Sequence, residues 1–506
     1  MSVAALARSI FAVGFDGNDV ANAPLDALRA FAPGAIVVFA RNAGSLDSLR
    51  GLVAELRALD ALPPLIAVDQ EGGRVARIGE PFVQLPSAMA VGAANDVDAC
   101  ERLGTLLGRE LARLGISVDF APVADCALDA ANTVIGTRAY GSDPLRVGRF
   151  AGAFARGLEC GGVAAALKHF PGHGSTAIDS HLELPRVRCD EATFRARDLQ
   201  PFAAAISGAA AQIVMAGHVI VEAFDAQRPA SLSPRILTGL LRDELGFEGV
   251  ACTECLQMDA IARDPGTVAG AVAALAAGAD LLLVSHSIER AGEAAAAIVA
   301  AIDAGTVPLA RLEEAARRVR MLRERYATLR PYGGELDAAL PLELARRAVT
   351  VLRGALRLRD GLPVTVISFE GDAFDGAGGV RAERPSLSAA LRARRWKSEI
   401  MRVALDPDGD DVELLLGHLP SLGDRNFVIA VRRAHLHPRQ RRAVERILAL
   451  VPAAAIVSAA EPFDALLWPA ARTVACIYGD DAVAFSACAD VLSGRAEADG
   501  HLPVTL

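Results

Sequence analysis

Lys168-His169-Phe170-Pro171-Gly172-His173-Gly174-Ser175-Thr176, followed by Asp179-Ser180-His181, sets three histidines, a lysine and an aspartate within fourteen positions. Histidine titrates near neutral pH, so it can give and take a proton during a reaction. An aspartate two residues from a histidine can fix its tautomer and stabilise the imidazolium. Asp179 and His181 have that spacing, which an ordinary loop pair also has. Lys168 carries a compositional signal of its own. Of 52 basic residues only Lys168 and Lys397 are lysine. A chain that otherwise uses arginine can keep lysine where a compact ammonium is needed instead of a planar fork.

The apolar run Val163–Leu167 reads as a buried strand, with Lys168 opening the loop that Pro171 and the glycines shape. Seven similar runs occur: Ile10–Phe15, Ala35–Phe39, Leu65–Val68, Ser117–Phe120, Gln212–Met215, Gly249–Cys252 and Asp280–Val284. Several are continuously apolar and bounded by Gly or Pro, as expected of parallel strands buried on both faces. Eight strands alternating with helical patterns predict a (β/α)8 TIM-like barrel. Irregular spacing near the N-terminus leaves room for a missing early helix. Asp69 follows the third run, and Asp125 lies just beyond the fourth. Lys168 and His169 follow the fifth, His218 the sixth, Glu254 the seventh and His286 the eighth. Barrel enzymes place their chemistry at the C-terminal ends of the strands. Ionisable groups gathered there from several strands predict a catalytic face.

A chain of 506 residues exceeds one ordinary core. A helix over about 309–328 ends near the Pro/Gly cluster Arg330-Pro331-Tyr332-Gly333-Gly334, the expected boundary. A helix over about 341–353 leads into a second α/β unit. Its candidate strands are Val364–Phe369, Phe427–Val431, Ala455–Val457 and Val474–Tyr478, and it has no phosphate-binding glycine loop. The expected division is a catalytic barrel over 1–335 and a smaller α/β sandwich over 343–506. His418, His435 and His437 lie in the second unit without acidic partners close in sequence, which predicts surface or loop positions. Arg432-Arg433 is read as a solvated face.

The net charge of −9 disfavours nucleic acid as a partner. No stretch reaches the uninterrupted apolar length of a membrane span, and the Ala-rich segment 267–279 reads as a buried helix. The N-terminus lacks a basic region followed by a long apolar one, so a cytoplasmic protein is expected. The eight cysteines are scattered. The lone pair Cys252-Thr253-Glu254-Cys255 has no second pair and reads as two buried thiols.

These residues resemble family 3 glycoside hydrolases, in particular the bacterial β-N-acetylglucosaminidases of peptidoglycan recycling. Asp69-Gln70-Glu71-Gly72-Gly73-Arg74-Val75 with Arg77 resembles the family's first sugar-binding segment. Asn132-Thr133-Val134-Ile135-Gly136-Thr137-Arg138 resembles the segment carrying a substrate arginine. Lys168–Gly174 is the strongest signature, with Asp179-Ser180-His181 at the family's spacing. Gly500–Leu506 resembles the close of the second domain in two-domain members. The resemblance implies that Asp69, Arg77, Arg138, Lys168 and His169 bind the terminal N-acetylglucosamine. It implies that His181, oriented by Asp179, is the general acid/base. His218 lines the mouth as a further substrate-binding candidate, His286 is a weaker one, and His173 is structural. No metal or organic cofactor is implied. The implied partner is a small carbohydrate, a GlcNAc-containing muropeptide, and the oligomeric state is left open.

One position departs from the pattern. The family's nucleophile is an aspartate in a segment of the form Thr/Ser-Asp-x-Leu-x-Met, and this chain has Thr253-Glu254-Cys255-Leu256-Gln257-Met258. Glutamate can act as a glycosidase nucleophile, but its extra methylene lengthens the reach by about 1.5 Å. Asp259 is the nearest other carboxylate and falls in the following helix. The implied activity is a retaining exo-β-N-acetylglucosaminidase, slowed by Glu254 at the nucleophile position. Two alternatives stay open. An N-acetylglucosaminide phosphorylase would use the histidine acid/base to admit phosphate in place of water. A catalytically impaired sugar-binding protein would keep the pocket without the chemistry.

Overall fold

The computed structural model describes residues 1–176, 184–208, 210–328, 337–371 and 385–506. Eight parallel strands close into a barrel: β1 (Phe11–Val13), β2 (Ala35–Val38), β3 (Leu65–Val68), β4 (Val118–Asp119), β5 (Ala164–Phe170), β6 (Ile213–Ala216), β7 (Val250–Cys255) and β8 (Leu281–Val284). Each pairs with its sequence neighbours, and β1 pairs with β8 to complete the ring. All eight coincide with the apolar runs. No early helix is missing, because Leu25–Phe31 follows β1. The chain also differs from expectation in β5, which runs on through Lys168, His169 and Phe170 and does not stop at Leu167. Burial on both sides sustains it past the polar pair.

Strand alternation explains what reaches the barrel mouth. Ala35 and Val37, Leu65 and Ala67, Ala164 and Ala166, and Val250 and Cys252 belong to the apolar cluster filling the barrel. The next inward positions along β3, β5 and β7 are Asp69, Lys168 and Glu254. His169 would fall on the outer face, but the register between β5 and β6 shifts between Lys168 and Phe170. A bulge of this kind re-aims a side chain. The register between β7 and β8 shifts similarly between Cys252 and Cys255. The opposite end of the barrel is closed by the helix Leu309–Tyr326, whose Val319, Leu322 and Tyr326 join the interior cluster. At that end the buried Asp280 carboxylate is held by Arg242, Arg311 and Arg318.

The second unit is a six-stranded sheet: β9 (Thr350–Arg353), β10 (Val364–Glu370), β11 (Ser398–Ala404), β12 (Asn426–Val431), β13 (Ala455–Ser458) and β14 (Thr473–Cys476). The order is β9-β14-β13-β12-β10-β11, parallel except for the β9–β14 pair. Four of these strands coincide with expectation. The helix expected over 341–353 is instead Leu340–Ala348 followed by β9, because Thr350 and Val351 pair with Cys476 and Ala475. The expected boundary at Arg330–Gly334 lies outside the described residues.

The two units are packed together. Ser87 Oγ donates to Tyr478 O at 2.6 Å, and Arg347 pairs with Asp96 at 3.0 Å. The C-terminal segment returns to the barrel, with His501 N–H donating to Ala93 O and Ser142 N–H to Pro503 O. The Ala-rich helix is Thr267–Ala277, and among the described residues no helix is long and apolar enough to cross a membrane.

Candidate active site

Three cations and two carboxylates interlock at the ends of β3 and β5. Lys168 Nζ lies 2.8 Å from Asp69 Oδ1 and 2.5 Å from Glu71 Oε1. Arg138 grips Glu71 with two bonds of 2.8 Å, the fork geometry that arginine supplies. Arg77 Nη2 lies 3.7 Å from Asp69 Oδ2. Burial opposes ionisation of Glu71, but Arg138 and Lys168 outweigh it and hold the carboxyl well below its usual range. Asp69 is depressed in the same way, against burial, by Lys168 and Arg77. Lys168 is pushed up despite its burial by the same two carboxylates. Buried charges persist only when paired in this manner. Asp69 keeps 18% of its side-chain surface exposed while Lys168 keeps 3%. Asp69 is therefore the member open to accept a ligand's hydroxyl protons.

His169 is fixed by Asp125. Its Nδ1 lies 2.7 Å from Asp125 Oδ2, which also accepts the His169 N–H at 3.0 Å. The other oxygen of Asp125 accepts the His173 N–H at 2.7 Å. Burial raises the Asp125 pKa, but His169 and the His173 contacts bring it below the usual value. A carboxylate at Nδ1 places a proton there and leaves Nε2 facing the mouth. Nε2 lies 3.2 Å from Arg138 Nη2 and 3.8 Å from Glu254 Oε1.

Glu254 reaches this cluster from β7, as strand alternation predicts. Its Oε2 accepts the His218 N–H at 2.5 Å. Burial raises its pKa, while His169, His218 and His173, with the His218 N–H, more than compensate and hold it at about 2. The group is an anion beside a cationic cluster. It can attack an electron-poor carbon or stabilise a developing positive charge. Asp259 lies in the next helix and pairs with Arg263 at 2.6 Å.

His218, the further substrate-binding candidate, follows β6. It is fully buried, with Nδ1 2.7 Å from Ser231 Oγ and Nε2 3.0 Å from Cys255 O. Both ring nitrogens are engaged by protein, and its backbone N–H contacts Glu254. His173 is buried beside Thr176, whose Oγ1 lies 2.9 Å from Nδ1, and burial lowers its pKa. His286 stacks on Phe39 at the mouth. The cysteines at 252 and 255 are free thiols, the first buried. Asp179 and His181 lie outside the described residues. Among those described, no cluster of His, Cys, Asp and Glu is arranged to hold a metal.

The sequence places Asp125 among the strand-end groups but assigns neither it nor Glu71 a partner. Glu71 sits inside the Asp69–Val75 motif, and a buried Arg138 and Lys168 require a second anion. Asp125 is separated from His169 by 44 positions, and only the folded ring brings them together.

The arrangement agrees with comparisons to known proteins. The model of the glycosyl hydrolase family 3 N-terminal domain matches residues 19–322. A β-hexosaminidase of Stenotrophomonas maltophilia (strain K279a) is 40% identical over 283 residues, covering 54% of this chain and 82% of the relative. A β-hexosaminidase of Methylococcus capsulatus (strain ATCC 33009 / NCIMB 11132 / Bath) is 41% identical over 275 residues, covering 54% and 80%. The solved structure of a glycoside hydrolase family 3 β-N-acetylglucosaminidase from Paenibacillus sp. str. FPU-7 superposes with a TM-score of 0.92. It is 32% identical, and the match covers 100% of this chain and 99% of that one.

Proposed function

The chain belongs to glycosyl hydrolase family 3 and is a glycoside hydrolase, and we propose that it is a retaining exo-β-N-acetylglucosaminidase. It removes a non-reducing N-acetylglucosamine from cytoplasmic muropeptides. Residues 1–335 form the catalytic domain and 343–506 the second. Asp69, Lys168, Arg77, Arg138 and His169 bind the sugar, with Glu71 holding Lys168 and Arg138, and Asp125 holding His169, in their working orientation. Glu254 attacks the anomeric carbon. His181, oriented by Asp179, protonates the departing oxygen. The glycosyl ester is then opened by water, with His181 taking its proton.

The observation that carries this reading is the anionic Glu254 at the end of β7, 3.8 Å from His169 and within the ring that holds Asp69, Lys168 and Arg138. The β-hexosaminidase relatives and the β-N-acetylglucosaminidase structure support the choice of sugar.

The test is mass spectrometry after exposure to a slow fluorinated N-acetylglucosaminide. A covalent adduct on Glu254 is expected, with free sugar as the product of ordinary substrates. Sugar 1-phosphate formed in phosphate buffer would replace the hydrolase with a phosphorylase. A sugar that binds without adduct or turnover would replace the enzyme with a sugar-binding protein.

A further inference from the structure

Arg432-Arg433 is not the solvated face its sequence suggests. Both side chains are 13% exposed, and each meets a carboxylate remote in sequence, Asp480 for Arg432 and Glu461 for Arg433. Arg433 contacts Glu461 through Nε at 2.9 Å and Nη2 at 3.0 Å. Its backbone is left-handed, with φ of 50°. A bulky residue takes that conformation only where surrounding contacts enforce it. From there Nη2 also donates to Thr133 O of the barrel at 3.4 Å. Nearby, His435 sits between Asp464 Oδ1, 2.7 Å from Nδ1, and Ala130 O, 2.9 Å from Nε2. Both ring nitrogens face acceptors, so the ring donates two protons here. Glu461 also lies against Gly136, where an added Cβ would fall 1.9 Å from Oε1.

Three contacts from the second unit, made by Arg433, His435 and Glu461, therefore converge on one barrel segment, residues 130–136. That segment touches both halves of the site. It leads into Arg138, which grips Glu71 and reaches His169. Asn132 Nδ2 donates to His173 O at 3.0 Å and Gly174 O at 3.3 Å, in the turn that precedes Asp179 and His181. On its barrel side the segment is held by Arg74, which donates to Thr133 O, Val134 O and Ile135 O.

We propose that Arg433, His435, Glu461 and Asp464 are positioning residues. They fix the 130–136 segment from the second unit, and through it Arg138 and the 173–174 turn. The catalytic part of this inference rests on the glycosidase reading; the positional part does not. A misplacement on the order of 1 Å costs about 10²-fold in rate. Loss of one of two anchoring pairs leaves the other in place, so a smaller loss is expected.

The test uses the full chain carrying Arg433→Ala or His435→Ala, with Arg402→Ala as a control. Arg402 forms an exposed pair with Glu370 at the sheet edge, away from this contact. Hydrogen exchange should accelerate in peptides covering 130–138 and 170–176 and stay unchanged in the other barrel strands. With aryl N-acetylglucosaminides, kcat/KM should fall about tenfold. Free N-acetylglucosamine should bind more weakly, and poor leaving groups should lose more than activated ones. His435→Gln retains amide donors and should recover most of the loss. Arg402→Ala should change none of these. Unaltered exchange over 130–138 in folded Arg433→Ala and His435→Ala would overturn the proposal. So would a drop in melting temperature with kcat/KM within twofold of the parent. If the parent turns nothing over, exchange and sugar binding still decide the positional claim.

Discussion

Replacing Glu254 with aspartate should raise turnover. The substitution withdraws the carboxylate by about 1.5 Å. Its 2.5 Å bond to the His218 N–H then opens to about 4 Å, beyond hydrogen-bonding range. Two consequences have the same sign. The carboxylate retreats to the reach of the aspartate that the family places here, while Asp69, Lys168, Arg138 and His169 keep the surroundings that the family motifs share. The carboxylate also loses a donor that stabilises its charge before attack, when that charge must be surrendered to form the ester. Geometry is the larger effect. A 1 Å error costs about 10²-fold, so correcting 1.5 Å should raise kcat on the order of 10²-fold, or about 2.7 kcal/mol of barrier. The assay is steady-state kcat on an activated aryl N-acetylglucosaminide, with the burst amplitude counting competent sites. A kcat for Glu254→Asp at or below that of the parent would refute the reasoning, because the pocket would then be built around glutamate.

Other perturbations test the same site from different sides. His181→Ala should slow substrates with poor leaving groups by roughly 10²–10⁴-fold and activated aryl glycosides much less; equal losses would remove His181 from the acid/base role. Lys168→Met strips Asp69 and Glu71 of their shared cation and should cost about 3–5 kcal/mol of stability at neutral pH. Both carboxylates have folded pKa values below their unfolded ones, so the stability they contribute is present above about pH 4 and lost as pH falls. The melting-temperature gap between Lys168→Met and the parent should accordingly narrow on acidification; a constant gap would show that the ionic contacts are not its cause. Asp119 is the opposite case: buried, with its pKa pushed up to about 8 by burial. Its unfolded form ionises near pH 4, so stability declines from there towards pH 8. Asp119→Asn should therefore raise the melting temperature at pH 7–8 and leave it unchanged near pH 4.

The barrel was legible because its strands are short apolar runs, and the active face because Asp69, Lys168 and Glu254 continue the inward alternation of β3, β5 and β7. Sequence reasoning failed where one chain segment depends on a distant one. Lys168 and His169 look like a strand end, yet Asp69, Glu71 and Asp125 satisfy them inside β5. β11 carries Ser398, Glu399 and Arg402 on an edge that is only half covered, so it lacks an apolar signature. β9 follows a helix after one residue and is defined by its pairing with β14. His435 had no acid within reach of its own segment, and Asp464 arrives 29 positions later.

The closure of the barrel by β1 and β8 constrains how the chain can be made. The first strand of the ring to be synthesised pairs with the last, so one edge of β1 stays open until residues 281–284 emerge. The interior waits longer, for Val319, Leu322 and Tyr326 of the closing helix. An unpaired strand edge is a template for stray chains during that interval. β1 spans only Phe11–Val13 and so offers few free backbone groups. Its brevity protects a half-synthesised barrel that a longer first strand would leave open to aggregation.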